Sequence, residues 1–258
     1  MASRFWTLLF SLPGAVLAHT VCPLDPWEAQ IELTYKQYET EHFWNKTGSR
    51  RSAHNDFIKR EVEIYGELGI TPCDTLTAKA SWARAQERLN GRTFGFSDIE
   101  LGWRRFLWSY ASRTFAARAL AIIPVETTYI PAIRYGRFGG ELDLLMNWCC
   151  YDFLVGYRYY DGFPSDQIRA EACMRWEISS RITFVGEANI EWGLFNGDSR
   201  PDASLFLFQP NYRLFKVKAE AQFKLCQYIS TNVGYFQHVW GENIGTGGGF
   251  YGGIDIHF

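Results

Sequence analysis

The chain carries no excess of charge of either sign, because 26 Lys and Arg residues balance 28 Asp and Glu residues among 258. A protein that neutralises a phosphate backbone needs a basic surface, so nucleic acid is not expected as a partner. No internal run reaches the roughly 18 apolar residues that a spanning helix needs. The GxxxxGK[ST] phosphate loop is also missing. These absences argue against a helical membrane protein and against nucleotide chemistry.

The N-terminus has the pattern of a secretory signal peptide. Arg4 precedes an apolar run over 5–17, and the run ends in small residues that allow cleavage after Ala18. The run is too short to form a stable spanning helix. We therefore expect residues 1–18 to be removed on export and residues 19–258 to form one domain.

The mature chain is rich in aromatic residues (17%) and alternates apolar with polar residues. In 167–178, for example, apolar residues occupy the even positions and mostly charged residues the odd ones. This period of two places one set of side chains on each face of a strand. The segments are about 10 to 13 residues long, as membrane strands are, whereas globular strands average about 5 to 6. The apolar face is therefore predicted to contact lipid.

Strands in lipid must have no unpaired edge, which requires closure. The sequence thus predicts an all-β fold, a transmembrane antiparallel up-and-down β-barrel of about 12 strands, with 10 or 14 also compatible with the pattern. The predicted strands are 30–38, 57–70, 76–86, 97–108, 114–124, 141–148, 153–160, 167–178, 182–194, 204–214, 226–237 and 249–258. The segment 204–226 alternates almost without a break, so it is compatible with one long strand or with a hairpin. Short connections are assigned to the periplasmic side, and long ones such as 39–56 and 238–248 to the outside.

The ionic face of these strands is predicted to line the lumen. Buried charges must be hydrated or paired, so two interpretations stay open: a narrow pore for small solutes, or a barrel closed by ion pairs. Acids outnumber bases among the predicted lining residues, which favours a weak cation preference. The predicted lining residues are Lys59, Glu61, Glu63, Asp98, Glu100, Arg104, Arg118, Arg158, Arg169, Glu171, Arg175, Glu177, Glu187 and Glu191.

Three histidines fall in predicted outer loops: His42, His54 and His238. The first and last strands of a closed barrel are neighbours, so these side chains could form a metal site or a hydrolytic Asp-His pair at the outer rim. No Ser or Cys nucleophile lies at a recognisable spacing. The sequence therefore predicts no catalytic residue, no metal and no other cofactor, and a rim hydrolase is kept only as a third interpretation.

Five cysteines fall at the predicted periplasmic ends, where oxidation is permitted: Cys22, Cys73, Cys149, Cys150 and Cys226. They show no CxxC spacing, which argues against metal binding. Our hypothesis is that some form disulfides, either within the chain, such as Cys22 with Cys73, or with envelope neighbours. This supports a second interpretation, a structural or adhesive outer-membrane protein with a disulfide-linked periplasmic rim.

The last predicted strand places Phe250, Gly252, Ile254, Ile256 and Phe258 on one face. Alternating apolar residues that end in an aromatic residue resemble the assembly signal of bacterial outer-membrane barrels. The resemblance implies that the barrel-assembly machinery binds this strand, with Phe258 as its key residue.

Several motifs resemble those of the outer-membrane transporter family of the phenol-degradation-pathway type. They are Tyr-Gly-Glu-Leu-Gly-Ile-Thr at 65–71, the segment 95–104, Pro124, and Trp-Gly-Glu-Asn-Ile-Gly-Thr-Gly at 240–247. Val125-Glu126 departs from the Thr-Gly expected after the proline. The resemblance implies a Gram-negative outer-membrane channel in contact with lipid and small solutes, without fixing the solute.

Overall fold

A computed structural model describes residues 21–87, 91–128, 130, 133–197 and 208–258 of the chain. The predicted signal peptide, residues 1–18, lies outside the described residues. Within the described ranges, no helix is long and apolar enough to cross a membrane.

The described residues form thirteen β-strand segments that follow one another along the chain. They are β1 (Ala29–Trp44), β2 (Arg50–Thr71), β3 (Asp74–Glu87), β4 (Gly91–Phe96), β5 (Ile99–Tyr110), β6 (Arg113–Ile123), β7 (Gly139–Trp148), β8 (Tyr151–Tyr160), β9 (Gln167–Ser179), β10 (Ile182–Gly193), β11 (Phe208–Lys224), β12 (Ile229–Gly245) and β13 (Gly248–His257).

The segments form a closed antiparallel barrel. β1 pairs with β2 on one side and with β13 on the other, so the sheet has no free edge there. β4 pairs with the second half of β3 and β5 with its first half, so β4 and β5 share one position in the sheet, interrupted at Ser97 and Asp98. The described part of the chain therefore has twelve strand positions, which confirms the predicted fold class and strand number.

The strands extend further than predicted at the outer end. β1 and β2 occupy most of the predicted loop 39–56 and are joined by 45–49, and β12 runs through most of the predicted loop 238–248. Both loop predictions were wrong, because the hydrogen-bond ladder continues beyond the lipid, where polar residues are tolerated on both faces and the alternation fades. β11 runs without a break from Phe208 to Lys224, so 208–224 is one strand and not a hairpin, and the predicted strand end at 214 was wrong; residues 204–207 lie outside the described residues.

Alternation along each strand separates an apolar outer face from a polar inner face. On β7, Leu142 and Leu144 are 68% and 67% exposed, whereas Glu141 and Asp143 between and beside them are buried. Monomeric soluble proteins rarely expose apolar surface on this scale. The outer face therefore suits acyl chains and the inner face encloses the ionic groups, as a transmembrane barrel requires.

The connections define the two ends of the barrel. Those between β2 and β3, β5 and β6, β7 and β8, and β9 and β10 contain two residues each, at the end where β1 begins and β13 finishes. The connections 124–138 and 161–166 lie at the opposite end and are longer. Short turns are typical of the periplasmic side and long loops of the outer side.

Candidate functional site

A network of arginines and carboxylates covers one wall of the lumen. The Arg118 Nε donates to Asp143 Oδ2 at 2.7 Å, and Arg169 Nη1 donates to Glu141 Oε1 at 2.7 Å. Arg158 also donates to Glu141. Strand register explains two of these contacts, because Arg118 lies directly opposite Asp143 and Glu141 directly opposite Arg158.

Three Lys–Glu pairs from other strands extend the network: Lys36–Glu63 at 2.8 Å, Lys79–Glu100 at 2.7 Å and Lys218–Glu187 at 2.6 Å. In each pair the lysine is the more exposed partner. The exposed fractions of the side chains are 37% against 19%, 31% against 14%, and 29% against 4%, respectively. The lysine side chains are therefore the more accessible members of these pairs, although Glu63 and Glu100 are exposed to the lumen as well.

A cavity of about 210 Å³ lies at the centre of the lumen. This volume holds about seven water molecules at the roughly 30 Å³ that each occupies in the liquid. Its charged lining among the described residues consists of the bases Lys36, Lys79, Arg118, Arg158, Arg169, Lys216 and Lys218 and the acids Glu63, Glu100 and Glu171. The centre of the barrel is thus polar, narrow and richer in bases than in acids.

Towards the outer end the lumen becomes aromatic. The Tyr38 ring stacks on Phe236 at a centroid distance of 6.1 Å and meets Phe57 edge-on at 6.0 Å. A second cavity, of about 160 Å³, is lined by Lys36, Tyr38, Lys59, Glu61, Phe236 and His238. A solute entering from outside would contact these rings before it reached the charged centre.

The described residues of the connection 124–138, which are 124–128, 130 and 133–138 and are here called the inner loop, fold into the barrel from the outer end. Ile133 is 7% exposed and belongs to the apolar cluster of Tyr38 and Phe57 on β1 and β2. The Tyr135 backbone N–H donates to Asp98 Oδ2 at 3.1 Å. The Tyr135 ring packs edge-on against Tyr160 at 5.3 Å. The inner loop starts between β6 and β7 and reaches the wall formed by β1–β3, so it narrows the outer half of the lumen.

Residues 21–28, here called the inner segment, narrow the periplasmic end. Val21 is 3% exposed and packs with Ala116, Leu145 and Leu154, which point inward from β6, β7 and β8. The segment is held to β2 by backbone hydrogen bonds, in which Gly69 N–H donates to Glu28 O at 2.9 Å and Trp27 N–H donates to Gly69 O at 2.8 Å. The lumen is therefore constricted at both ends.

Between the inner segment and the central cavity lies a fully buried ion pair. Arg104 Nη1 and Nη2 donate to Glu67 Oε1 and Oε2 at 2.8 and 2.6 Å, in a bidentate arrangement. Their side chains are 1% and 0% exposed. The Tyr65 hydroxyl also donates to Glu67 Oε1 at 2.6 Å. The pair links β2 to β5 across the interior.

The structure distributes the fourteen predicted lining residues unequally. The central cavity is lined by six of them: Glu63, Glu100, Arg118, Arg158, Arg169 and Glu171. The second cavity, nearer the outer end, is lined by Lys59 and Glu61. The other inward residues are bonded to neighbours: Glu187 to Lys218, Glu191 to Tyr212, Arg104 to Glu67, Arg175 to Asp152, and Asp98 to the inner loop. Glu177 is exposed at the turn end of β9, away from both cavities.

Lys216 and Lys218 were missed because the predicted strand ended at residue 214. Both point inward from β11 and line the central cavity. The sequence contained the pattern that identifies them as inward residues, because Phe215, Val217 and Ala219 alternate with the two lysines. Extending the predicted strand from residue 214 to residue 218 would have included both lysines.

His42 and His238 lie in strands and not in the predicted outer loops. His42 lies in β1, and His238 lies in β12, where its Nδ1 is 2.8 Å from Gly245 O and its ring is 5.0 Å from that of Tyr38. Placing them in loops was wrong because both strands continue past the predicted boundaries. The His54 side chain lies outside the described residues. The described part of the chain contains no group of three or more His, Cys, Asp or Glu side chains that could hold a metal.

All six cysteines are free thiols in this structure. Cys73, Cys149, Cys150 and Cys226 lie in the short turns, as predicted from the layout. The predicted Cys22–Cys73 disulfide is not formed, because Cys22 lies in the inner segment, where its charged neighbours are Asp152, Arg104 and Arg175 of the interior.

Solved structures share this fold. An outer membrane channel from Pseudomonas putida F1 matches with a TM-score of 0.73 and 14% identity, covering 92% of this chain and 97% of that one. The NanC porin matches with a TM-score of 0.52 and 11% identity, covering 87% and 98%. No protein-family model and no curated protein sequence matches the chain. The chain therefore has the fold of an outer-membrane β-barrel channel, and identities this low show the fold alone.

Proposed function

We propose that the chain is a channel of the bacterial outer membrane that passively admits small solutes through a narrow charged lumen. The observation that carries this proposal is the central cavity, which ionic side chains from eight strand segments line inside a barrel whose outer face is apolar. A polar lining compensates a small solute for lost water, as channel selectivity requires. In this proposal the protein has no catalytic activity, and its partners are outer-membrane lipid and the solute.

Export and assembly are part of the proposal. Residues 1–18 act as the signal peptide, so N-terminal sequencing of the exported protein should give a sequence that begins at His19.

The outward face of β13 binds the barrel-assembly machinery, with Phe258 exposed on it. Replacing Phe258 by Ala should reduce the folded, heat-modifiable form far more than Phe250→Ala, which changes the same outer face. Equal yields from both variants would contradict a special role for Phe258.

The resemblance to transporters of the phenol-degradation-pathway type leaves the solute open, and the aromatic outer end of the lumen adds a solute class to the proposal. The aromatic rings of Tyr38 and Phe236, which line the cavity at the outer end, support entry of ring-bearing solutes, because aromatic rings stack favourably on one another. Disulfides to envelope neighbours through the exposed Cys149, Cys150 or Cys226 also stay a proposal. Identical mobility of cell-envelope protein with and without reductant would contradict it.

Single-channel recording tests the proposed function. Purified, refolded protein in a planar bilayer should give discrete current steps of low conductance, because both ends of the lumen are constricted. Liposomes containing the protein should swell in a pentose faster than protein-free liposomes, and more slowly in a disaccharide. Absence of current and swelling, both in the wild type and in variants that displace the inner segment, would contradict a channel function.

A further inference from the structure

The central cavity presents mainly positive charge. Seven of its ten charged lining residues are basic, although acids slightly outnumber bases in the residues predicted from the sequence. The difference arises from depth. Glu141 and Glu187, which pair with lining bases, have side chains that are 0% and 4% exposed, whereas the side chain of Lys36 is 37% exposed. These two acids lie behind the bases, so the lining itself is left with seven bases against three acids.

The separation between charges and the local dielectric constant determine how strongly each of these charges interacts with a passing ion. The interaction energy between two charges falls with their separation and rises as water is excluded. In a cavity with room for about seven water molecules, a solute would contact seven basic side chains and three acidic ones directly, whereas Glu141 and Glu187 act on it only from behind the bases. The surface charge of the constriction therefore has more weight than the total charge of the barrel interior.

Lys216 strengthens this argument because it forms no ion pair with any carboxylate among the residues that the structure describes. The acids that attract it, Glu191 and Glu187, lie beyond ion-pair distance of its Nζ. Lys218 interacts repulsively with both Lys216 and Lys36. Three ammonium groups thus converge on the same space, and an anion bound between them would relieve their mutual repulsion.

We infer that the central cavity is a binding site for a small anion carrying carboxylate or phosphate oxygens, so that the channel selects anions. Lysine rings are suited to anion-conducting pores, because each ammonium offers three donors and a compact charge. The cavity volume of about 210 Å³ restricts the ligand to a small one. This inference rests on the proposed channel function, and it reverses the weak cation preference expected from counting residues.

The reversal potential in a gradient of KCl tests the selectivity. Wild-type channels should show a reversal potential whose sign indicates that chloride permeates more readily than potassium. In Lys216→Gln/Lys218→Gln the potential should shift toward the cation side, whereas Arg105→Gln, which removes a charge from the outer face (54% exposed), should leave it unchanged. If the double variant does not give the heat-modifiable form, Lys216→Gln alone should shift the potential and Lys216→Arg should not.

Competition identifies the anion. Acetate and inorganic phosphate, added separately at constant ionic strength, should each reduce chloride current in the wild type, and the more strongly blocking one identifies the preferred oxygen anion. Either block should weaken at least severalfold in Lys216→Gln. Current with the sign of potassium permeation, or block that is unaffected by Lys216→Gln, would overturn the anion site while leaving the channel proposal intact. A complete lack of current would instead overturn the channel proposal, and the anion site with it.

Discussion

Replacing Gly69 by Ala should raise the single-channel conductance severalfold by displacing the inner segment from the periplasmic mouth. A Cβ at Gly69 would lie 2.1 Å from Asp25 O and 2.9 Å from Leu24 O. Both are backbone atoms, so no side-chain rotation can relieve the overlap. The segment must move away from β2, and Val21 should then leave its site between β6 and β8.

The matched control is Gly186→Ala, because a Cβ at Gly186 would have no atom within 4 Å. This control should conduct like the wild type. A second variant, Val21→Asp, should also raise conductance, since it places a charge among Ala116, Leu145 and Leu154, where burial is costly. Wild-type conductance in both Gly69→Ala and Val21→Asp would show that the inner segment does not limit the current.

Replacing Arg104 by Met should destabilise the barrel by about 3–5 kcal/mol, because removal of one partner leaves a buried, uncompensated charge on Glu67. The pair is almost completely enclosed, so water cannot replace the lost partner. The free energy of unfolding can be measured in urea from the fraction of heat-modifiable protein. The double variant Arg104→Met/Glu67→Leu should recover much of the loss, because it removes both charges.

The adjacent residue provides the control. Arg105 points outward beside the turn 72–73 at the end of the barrel, with 54% of its side chain exposed, and its Nη1 lies 3.7 Å from Oδ1 of Asp74, the first residue of β3. Exposed pairs of this kind contribute little to stability, so Arg105→Met should have a far smaller effect. Similar destabilisation by Arg104→Met and Arg105→Met would contradict the importance of burial at this pair.

The fold could be predicted because lipid enforces alternation over the full length of each spanning strand. On β7, for example, the Glu-Leu-Asp-Leu pattern of 141–144 already assigns each residue to a face. Outside the lipid this constraint ends, and β1, β2 and β12 continued where polar sequences had indicated loops. The sequence therefore predicted the number of strands and the face of the barrel that each residue occupies, but it did not predict the length of the strands.

The site was predictable only in its composition. Alternation identified Arg118, Arg158 and Arg169 as inward residues, but their partners depend on strand register, which periodicity leaves undefined. Ile133 and Val21 lie in segments without any periodic pattern, so their insertion into the lumen could not be foreseen. The relative depth of bases and acids, which supports anion binding, depends on side-chain conformations.

The central claim is that consecutive residues of a strand face lipid and a hydrated lumen in turn. Because all six cysteines are free, a cysteine-free chain can carry single nitroxide labels at residues 216, 217, 218 and 219 of β11. In proteoliposomes, labels at 217 and 219 should be relaxed mainly by oxygen dissolved in the bilayer, and labels at 216 and 218 mainly by a water-soluble nickel chelate. Equal relaxation at all four positions, or the reverse pattern, would contradict the account.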